Sequence, residues 1–375
     1  MRKKFMSKLL ATALMTTMAV GCLAGCGTNT TEAGDTAEAG SETEESQDTE
    51  AEDGAEDGNY SDTITVVWYP NESAEDYEPA REELGKLIEE ATGKKVEQKL
   101  TTDYTIAIES IASGTAQIAA VMGAEGYIQA KSSSDAVNPL FVNSGASGTL
   151  DDALYYSFFA VNEADAADYK DGEEYSIENI AGKRMSFVSN SSTSGFKVPT
   201  NGIVNYFSQT SDWADITADD LIEGGEDAFF SEVLFGGSHQ GSAFNLLSGK
   251  ADVAAFCNTE IAPYAECTDG TENEAGAVYT INADASAPFD TVAGSKFTLI
   301  KSTPVLNGPF AYNADTLSPD DVKAIQELFT SDEVSNNELF FAPEDSEGVG
   351  LYEKSDKECF LTVEDSWYDL IRNMK

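Results

Sequence analysis

The sequence predicts an α/β fold with mainly parallel sheets, arranged as two lobes. Runs of β-branched and aromatic residues alternate with segments of helical period, the pattern of strands joined by crossover helices. The alternation comes in two sets of roughly 100–150 residues each, the size of separate compact units. Apolar residues make up 41% of the chain and aromatics 10%, enough to build cores of that size.

Residues 1–26 read as a targeting segment. Arg2, Lys3, Lys4 and Lys8 form a basic start, and a short apolar run from Leu9 to Val20 follows. That run is shorter than the ~18 residues a membrane-spanning helix needs, so it marks an exported precursor. Leu23-Ala24-Gly25-Cys26 closes the segment. Residues 27–61 hold 12 acidic residues and no basic ones, with much Gly, Ala, Thr and Ser. Such a stretch buries too little apolar area to offset chain entropy, so it is expected to act as a tether. Coil scaling gives 35 residues a root-mean-square reach of at least ~30 Å. The folded part is then 62–375.

The first set of elements begins with residues 63–69 (TITVVWY), a buried strand. Pro79 opens a helix with Ala80, Leu84, Leu87, Ile88 and Ala91 on one face, ended by Gly93. Residues 95–100 read as a second strand. Thr102 or Asp103 caps a helix over 104–113, stopped by Gly114. Residues 117–122 form a third strand closed by Gly123, and 155–161 another.

The second set starts with a strand at 185–188 and a helix from near Ser192. A strand at 232–235 leads to a helix from about His239 to Ser248. A strand at 252–256 leads to a helix from near Thr259. Residues 297–300 and 310–312 are late strands. Ser318-Pro319-Asp320-Asp321 caps a helix through Phe329.

The chain carries 22 basic and 67 acidic residues, a net charge of −45. That argues against a nucleic-acid partner, which needs clustered Lys and Arg. It does not argue against a small anionic ligand, because local dipoles in a pocket outweigh distant, screened charges. The single histidine, His239, makes a multi-histidine metal site impossible. No cofactor is implied. Cys257, Cys267 and Cys359 remain after Cys26, so at most one disulfide forms within a chain. Cys257 with Cys267 is the nearest pair, and buried free thiols are the equal alternative.

Ser191-Ser192-Thr193-Ser194-Gly195 follows the strand MSFV and is the leading binding candidate. Three hydroxyls precede a helix whose first N–H groups lack partners, a place suited to an oxyanion. A plain helix cap is the blander reading. His239 stands at the equivalent place one strand–helix unit later, after a Gly-Gly-Ser turn. Tyr104 and Tyr127 could donate to an anion from the facing lobe, or pack in a wall. Glu260 could meet a cation on a ligand, or stabilise the start of its own helix. Enzyme motifs are absent: Gly236-Gly237-Ser238-His239-Gln240 lacks the last glycine of a nucleophile elbow, and no phosphate-binding loop of nucleotide hydrolases occurs. No catalytic role is expected.

Several stretches together resemble a known family. ENIAGKRMSFVSNSSTSGFKVP, EVLFGGSHQGSAFNLLSGKADVAA, KSTPVLNGPFAYN and TTDYTIAIESIASG are similar, in order, to the phosphate/phosphite/phosphonate substrate-binding proteins of ABC transporters. The resemblance implies a type II periplasmic-binding fold with two lobes joined by two hinge-crossing strands. By that analogy lobe 1 is 62–158 plus 302–375, and lobe 2 is 159–301. Ser192, Thr193 and Ser194 match the hydroxyl turn that receives a phosphorus oxyanion, His239 the ligand-binding histidine, and Tyr104 the tyrosine of the facing lobe. Tyr127 is a looser match. Glu260 resembles an acid that meets the amine of aminoalkylphosphonates, but Gly308 stands where many members carry a second acid. Half of the amine pocket is therefore missing, and phosphate, phosphite or another phosphonate stay open.

The L-A-G-C tetrad resembles the lipobox of bacterial lipoproteins, which implies lipidation of Cys26. The expected role is capture of a small phosphorus oxyanion outside the cell membrane and delivery to a permease with its ATPase. Two alternatives are a sulfonate, another anion or a thiamine-precursor-like ligand on the same fold, and a surface esterase using Ser238 and His239.

Overall fold

Two β-sheets organise the part of the chain that the computed structural model describes, residues 60–70, 77–210, 212–343, 346 and 350–374. The leader, Cys26 and all but the last two residues of the acidic stretch lie outside the described residues. No helix among the described residues is long and apolar enough to cross a membrane.

In chain order the first elements are β1 (Thr63–Trp68), α1 (Glu78–Thr92), β2 (Lys95–Leu100), α2 (Tyr104–Ala112), β3 (Ile118–Ala120), α3 (Ala124–Ser133), β4 (Val137–Asn143) and β5 (Leu154–Asn162). There follow β6 (Lys170–Asp171), β7 (Glu174–Tyr175), β8 (Arg184–Phe187), α4 (Val198–Phe207), β9 (Glu232–Phe235), α5 (His239–Leu247), β10 (Val253–Cys257), β11 (Ala265–Asp269) and β12 (Val278–Ile281). The last are β13 (Lys296–Leu306), β14 (Phe310–Asn313), α6 (Pro319–Phe329), α7 (Asp332–Ser335), β15 (Phe341–Pro343), β16 (Tyr352–Lys354), β17 (Phe360–Leu361) and α8 (Asp369–Arg372).

The first large sheet has the order β17-β4-β14-β3-β1-β2, and the second β11-β12-β13-β5-β10-β8-β9. Both are mixed rather than mainly parallel. β1 runs parallel to β2 and β3, and β8 parallel to β9 and β10, as crossover helices require. The departure comes from the strands that carry the chain between sheets. β5 and β13 pair antiparallel to each other, and β14 antiparallel to β3 and β4. The chain passes from the first sheet to the second through residues 144–153 and returns through 307–309. These passages run side by side, with Asn307 N–H donating to the Ala153 carbonyl at 3.0 Å.

Central strands are buried on both faces. Ile64, Val66 and Trp68 of β1 pack with α1 and α6, while Val67 packs with α2 and α3 on the other side. In β10, Val253 and Ala255 face one core, and Ala254 and Phe256 the other. This is why these strands read as continuous apolar runs rather than alternating ones. Each fully buried Val, Ile or Phe contributes about 1.5–3 kcal/mol.

The caps follow the chemistry expected of them. Asp103 accepts from Thr105 N–H at 2.7 Å at the start of α2, and Ser318 from Asp321 N–H at 3.1 Å at the start of α6. Gly93 ends α1 with φ of 69°. One expected helix fails. Residues 258–264 form turns, not a helix, because Pro263 has no N–H and blocks the ladder after one turn. Cys257, Cys267 and Cys359 are free thiols. Cys257 and Cys267 cannot pair in this sheet, because β5, β13 and β12 lie between their strands.

Candidate functional site

The serine turn sits where β8 ends. Ser192 accepts from Gly195 N–H at 3.1 Å, and the chain then makes a π turn over Thr193–Lys197 before α4 begins. π turns of this kind collect at functional positions because they re-aim side chains. Gly195 is required by packing: a Cβ there would lie 2.2 Å from Val188 Cγ2. Ser157 of β5 fixes the turn from below, donating to the Ser194 carbonyl at 2.6 Å. Ser192, Thr193 and Ser194 are all buried.

These hydroxyls face groups carried by the first sheet. Ser192 stands beside the Tyr104 hydroxyl at the start of α2 and favours its ionised form. Thr193 Oγ1 accepts from Glu125 N–H at 2.8 Å, in the first turn of α3. α3 has no side-chain cap at its own Gly123, so Thr193 supplies the missing acceptor from across the two sheets. Ser191 Oγ reaches Gln129 Oε1 of the same helix at 2.9 Å.

His239 is the first residue of α5, behind the Ser238 cap, and is 4% exposed. Its Nδ1 accepts from Cys257 N–H at 3.1 Å, which leaves the ring proton on Nε2. Burial lowers the His239 pKa to about 3, so near neutral pH the ring is an uncharged donor. Ser238 Oγ accepts from Gly241 N–H at 3.0 Å, so the two residues of the esterase alternative both serve local structure.

Cys257, at the end of β10, joins these parts. Its thiol lies 3.4 Å from Thr259 Oγ1, and burial pushes it up to about 12 with the Glu260 carboxylate adding to the effect. The same carboxylate raises the buried hydroxyls of Tyr104 and Tyr155, after burial itself. Glu260 accepts from Gln240 Nε2 at 3.2 Å. Tyr104, Ser192, Thr193, Ser194, His239 and Glu260 are thus gathered in one cluster.

Tyr127 is placed elsewhere. Its ring is fully buried against Tyr368, and its hydroxyl donates to Asp365 Oδ1 at 2.6 Å. It stands one turn into α3, so its side chain leaves the helix on the face that meets the C-terminal segment. Arg372 completes that contact by pairing with Asp365 at 2.6 Å.

Three residues of the cluster escape sequence reasoning. Tyr155, second in β5, stands beside Ser194 and Thr193, which favour its ionised form. Cys257 reads as a disulfide candidate from the sequence. Tyr69 follows β1 and meets Tyr104 edge-on at 5.0 Å between ring centroids. The Tyr69 hydroxyl is buried with no hydrogen-bond partner among the described residues. The available signal was position: each lies at a strand end beside a crossing or a helix start.

Gly308 explains the missing acid. A Cβ there would lie 1.8 Å from the Met122 carbonyl oxygen, because the return passage presses on the β3–α3 turn. Gly308→Ala is expected to cost roughly 2 kcal/mol or more, through forced displacement of backbone. Urea unfolding measures it, and a variant as stable as the parent would contradict the close approach.

Comparisons with known proteins bear on the family and the fold. A family model described as "ABC transporter, phosphonate, periplasmic substrate-binding protein" matches residues 66–368. The phosphate-import protein PhnD of Mycolicibacterium smegmatis is 25% identical over 280 residues, 73% of each chain. Among solved structures, PhnD1 from Prochlorococcus marinus in complex with methylphosphonate aligns with a TM-score of 0.56 at 15% identity, covering 84% of this chain and 97% of that one. XAC2383 from Xanthomonas citri bound to ATP aligns with a TM-score of 0.51 at 13% identity, covering 84% and 99%.

Proposed function

This chain belongs to the phosphonate periplasmic substrate-binding proteins of ABC transporters, and from that premise we propose that it captures a small phosphorus oxyanion between its two sheets. The observation that carries the reading is the meeting of donors from both sides: Tyr104 with Ser192, and the α3 N-terminus with Thr193. The ligand is gripped by the hydroxyls of Ser192, Thr193, Ser194 and Tyr104 and by the Nε2–H of His239. Neutral donors and helix N-termini suffice for an anion, since hydrogen bonds to a charged acceptor are about twice as strong as neutral ones.

In this reading 62–158 and 302–375 form one lobe, 159–301 the other, and the paired crossing strands β5 and β13, within which both boundaries fall, are the hinge. Contacts made only in the closed form draw the population toward closure. Closed protein docks on the permease and its ATPase. Lipid on Cys26 holds it at the outer face of the membrane, and residues 27–61 act as the spacer.

The phosphate-import relative supports a phosphorus ligand. Glu260 bars doubly anionic ligands from its own end of the site and favours one with a hydroxyl, a proton or a small alkyl group there. Gly308 leaves an aminoalkyl chain without its second acid, so 2-aminoethylphosphonate should bind weakly. Titration calorimetry against phosphate, phosphite, methylphosphonate and 2-aminoethylphosphonate tests the assignment. Binding of one of the first three is expected. Silence across the panel, with binding of a sulfonate or a pyrimidine instead, would move the ligand to another class.

A further inference from the structure

A polar cavity lies on the sheet that holds β8 and β13, away from the cluster around Ser192. It has a volume of about 440 Å³ and is lined by Tyr175, Ser176, Ile177, Tyr206, Ile300 and Lys301, with Glu274 at its exposed rim. Its origin is a bulge in β13. The pairing with β5 shifts between Leu299 and Lys301, so Ile300 turns into the core and Lys301 faces α4. Bulges of this kind commonly aim one side chain at a site. Gly202 of α4 makes the room: Lys301 Nζ lies 3.4 Å from where a Cβ would stand. Tyr206, one turn further on the same helix face, adds a hydroxyl 3.5 Å from Ser176 Oγ.

The Lys301 amine is half-buried and makes no ion pair or hydrogen bond among the described residues. Burial lowers its pKa, and no carboxylate offsets that effect. A desolvated ammonium is ordinarily paired. Its cavity has the makings of a partner site: one cation, two neutral hydroxyl donors, and apolar walls from Tyr175, Ile177, Tyr206 and Ile300.

We infer that this cavity binds a small organic monocarboxylate with a flat apolar body. A single ammonium balances one negative charge. The Glu274 carboxylate at the rim disfavours a dianion such as phosphate. The aromatic and aliphatic walls suit a ring, and the hydroxyls complete the carboxylate's hydrogen bonds.

Benzoate is the probe, titrated into the full chain by calorimetry, with inorganic phosphate, acetate and benzyl alcohol in parallel. Benzoate is expected to bind in the millimolar range or tighter, and at least tenfold more tightly than acetate or benzyl alcohol. Lys301→Met should weaken it at least tenfold, with an unfolding midpoint no lower than the parent's. Lys301→Arg should keep most of the affinity, and Tyr206→Ala should lose at least threefold through a wall on the exposed side. The inference is overturned if benzoate does not bind, if Lys301→Met binds it unchanged, or if phosphate binds as tightly at Lys301. Because neither Lys301 nor Tyr206 touches the Ser192 cluster, this result stands or falls independently of the phosphorus ligand.

Discussion

Ser192→Ala is expected to weaken binding of the phosphorus ligand by roughly 10- to 100-fold. A hydrogen bond to a charged acceptor contributes about 1.5–3 kcal/mol, and each 1.4 kcal/mol is tenfold in affinity. The serine also caps its own turn through Gly195 N–H. Loss of that cap adds about 1 kcal/mol of destabilisation, visible in the unfolding midpoint. Tyr104→Phe separates the two effects, because Tyr104 leaves α2 capped by Asp103. It should lose affinity while the midpoint stays within a degree or two. Calorimetry with each variant reads the loss. Affinity unchanged in both would remove the hydroxyl turn and the facing tyrosine from the site together.

Acid should destabilise the protein from about pH 6.5 downward, through His239. The unfolded chain protonates His239 near its ordinary value of 6.5, and the folded chain refuses that proton until about 3. The stability contributed by the buried neutral ring is therefore complete above 6.5 and is lost as pH falls from 6.5 to 3. Between pH 7 and 4.5 this amounts to about 2.5 kcal/mol, at 1.36 kcal/mol per pKa unit. Asp252 behaves differently: Arg184 holds its carboxyl below the usual range, so its contribution is lost only as pH falls below the ordinary carboxylate value. Partial neutralisation of a chain with net charge −45 acts the other way, by relieving self-repulsion. The clean readout is the difference from His239→Asn, whose side-chain oxygen can still accept from Cys257 N–H. Urea unfolding at several pH values should show the slope in the parent and its absence in the variant. Equal slopes would contradict a neutral buried ring.

Much of this was legible in the residues. β1 and β10 declared themselves by apolar runs buried on both faces, and Asp103, Ser318 and Gly93 marked helix ends by chemistry that acts locally. The serine turn and His239 were visible because each follows a strand and opens a helix. What stayed hidden depended on distant neighbours. Nothing near Tyr127 reveals that Asp365 takes its hydroxyl across 238 residues of chain. Cys257 belongs to the cluster only because β10 lies beside β8 and β5. The antiparallel strands of the passages broke the expectation of mainly parallel sheets, since strand direction is set by connection and leaves no mark on periodicity. Gly308 read as a missing acid; the Met122 carbonyl supplies the reason.

A crystal structure of the chain with the panel's tightest phosphorus ligand tests the central claim most directly. The account predicts ligand oxygens within hydrogen-bond distance of Ser192 or Thr193, of Tyr104 and of His239 Nε2, with the two sheets closed around them. A ligand held elsewhere, or His239 Nε2 donating to a protein carbonyl while the ligand is bound, would contradict it.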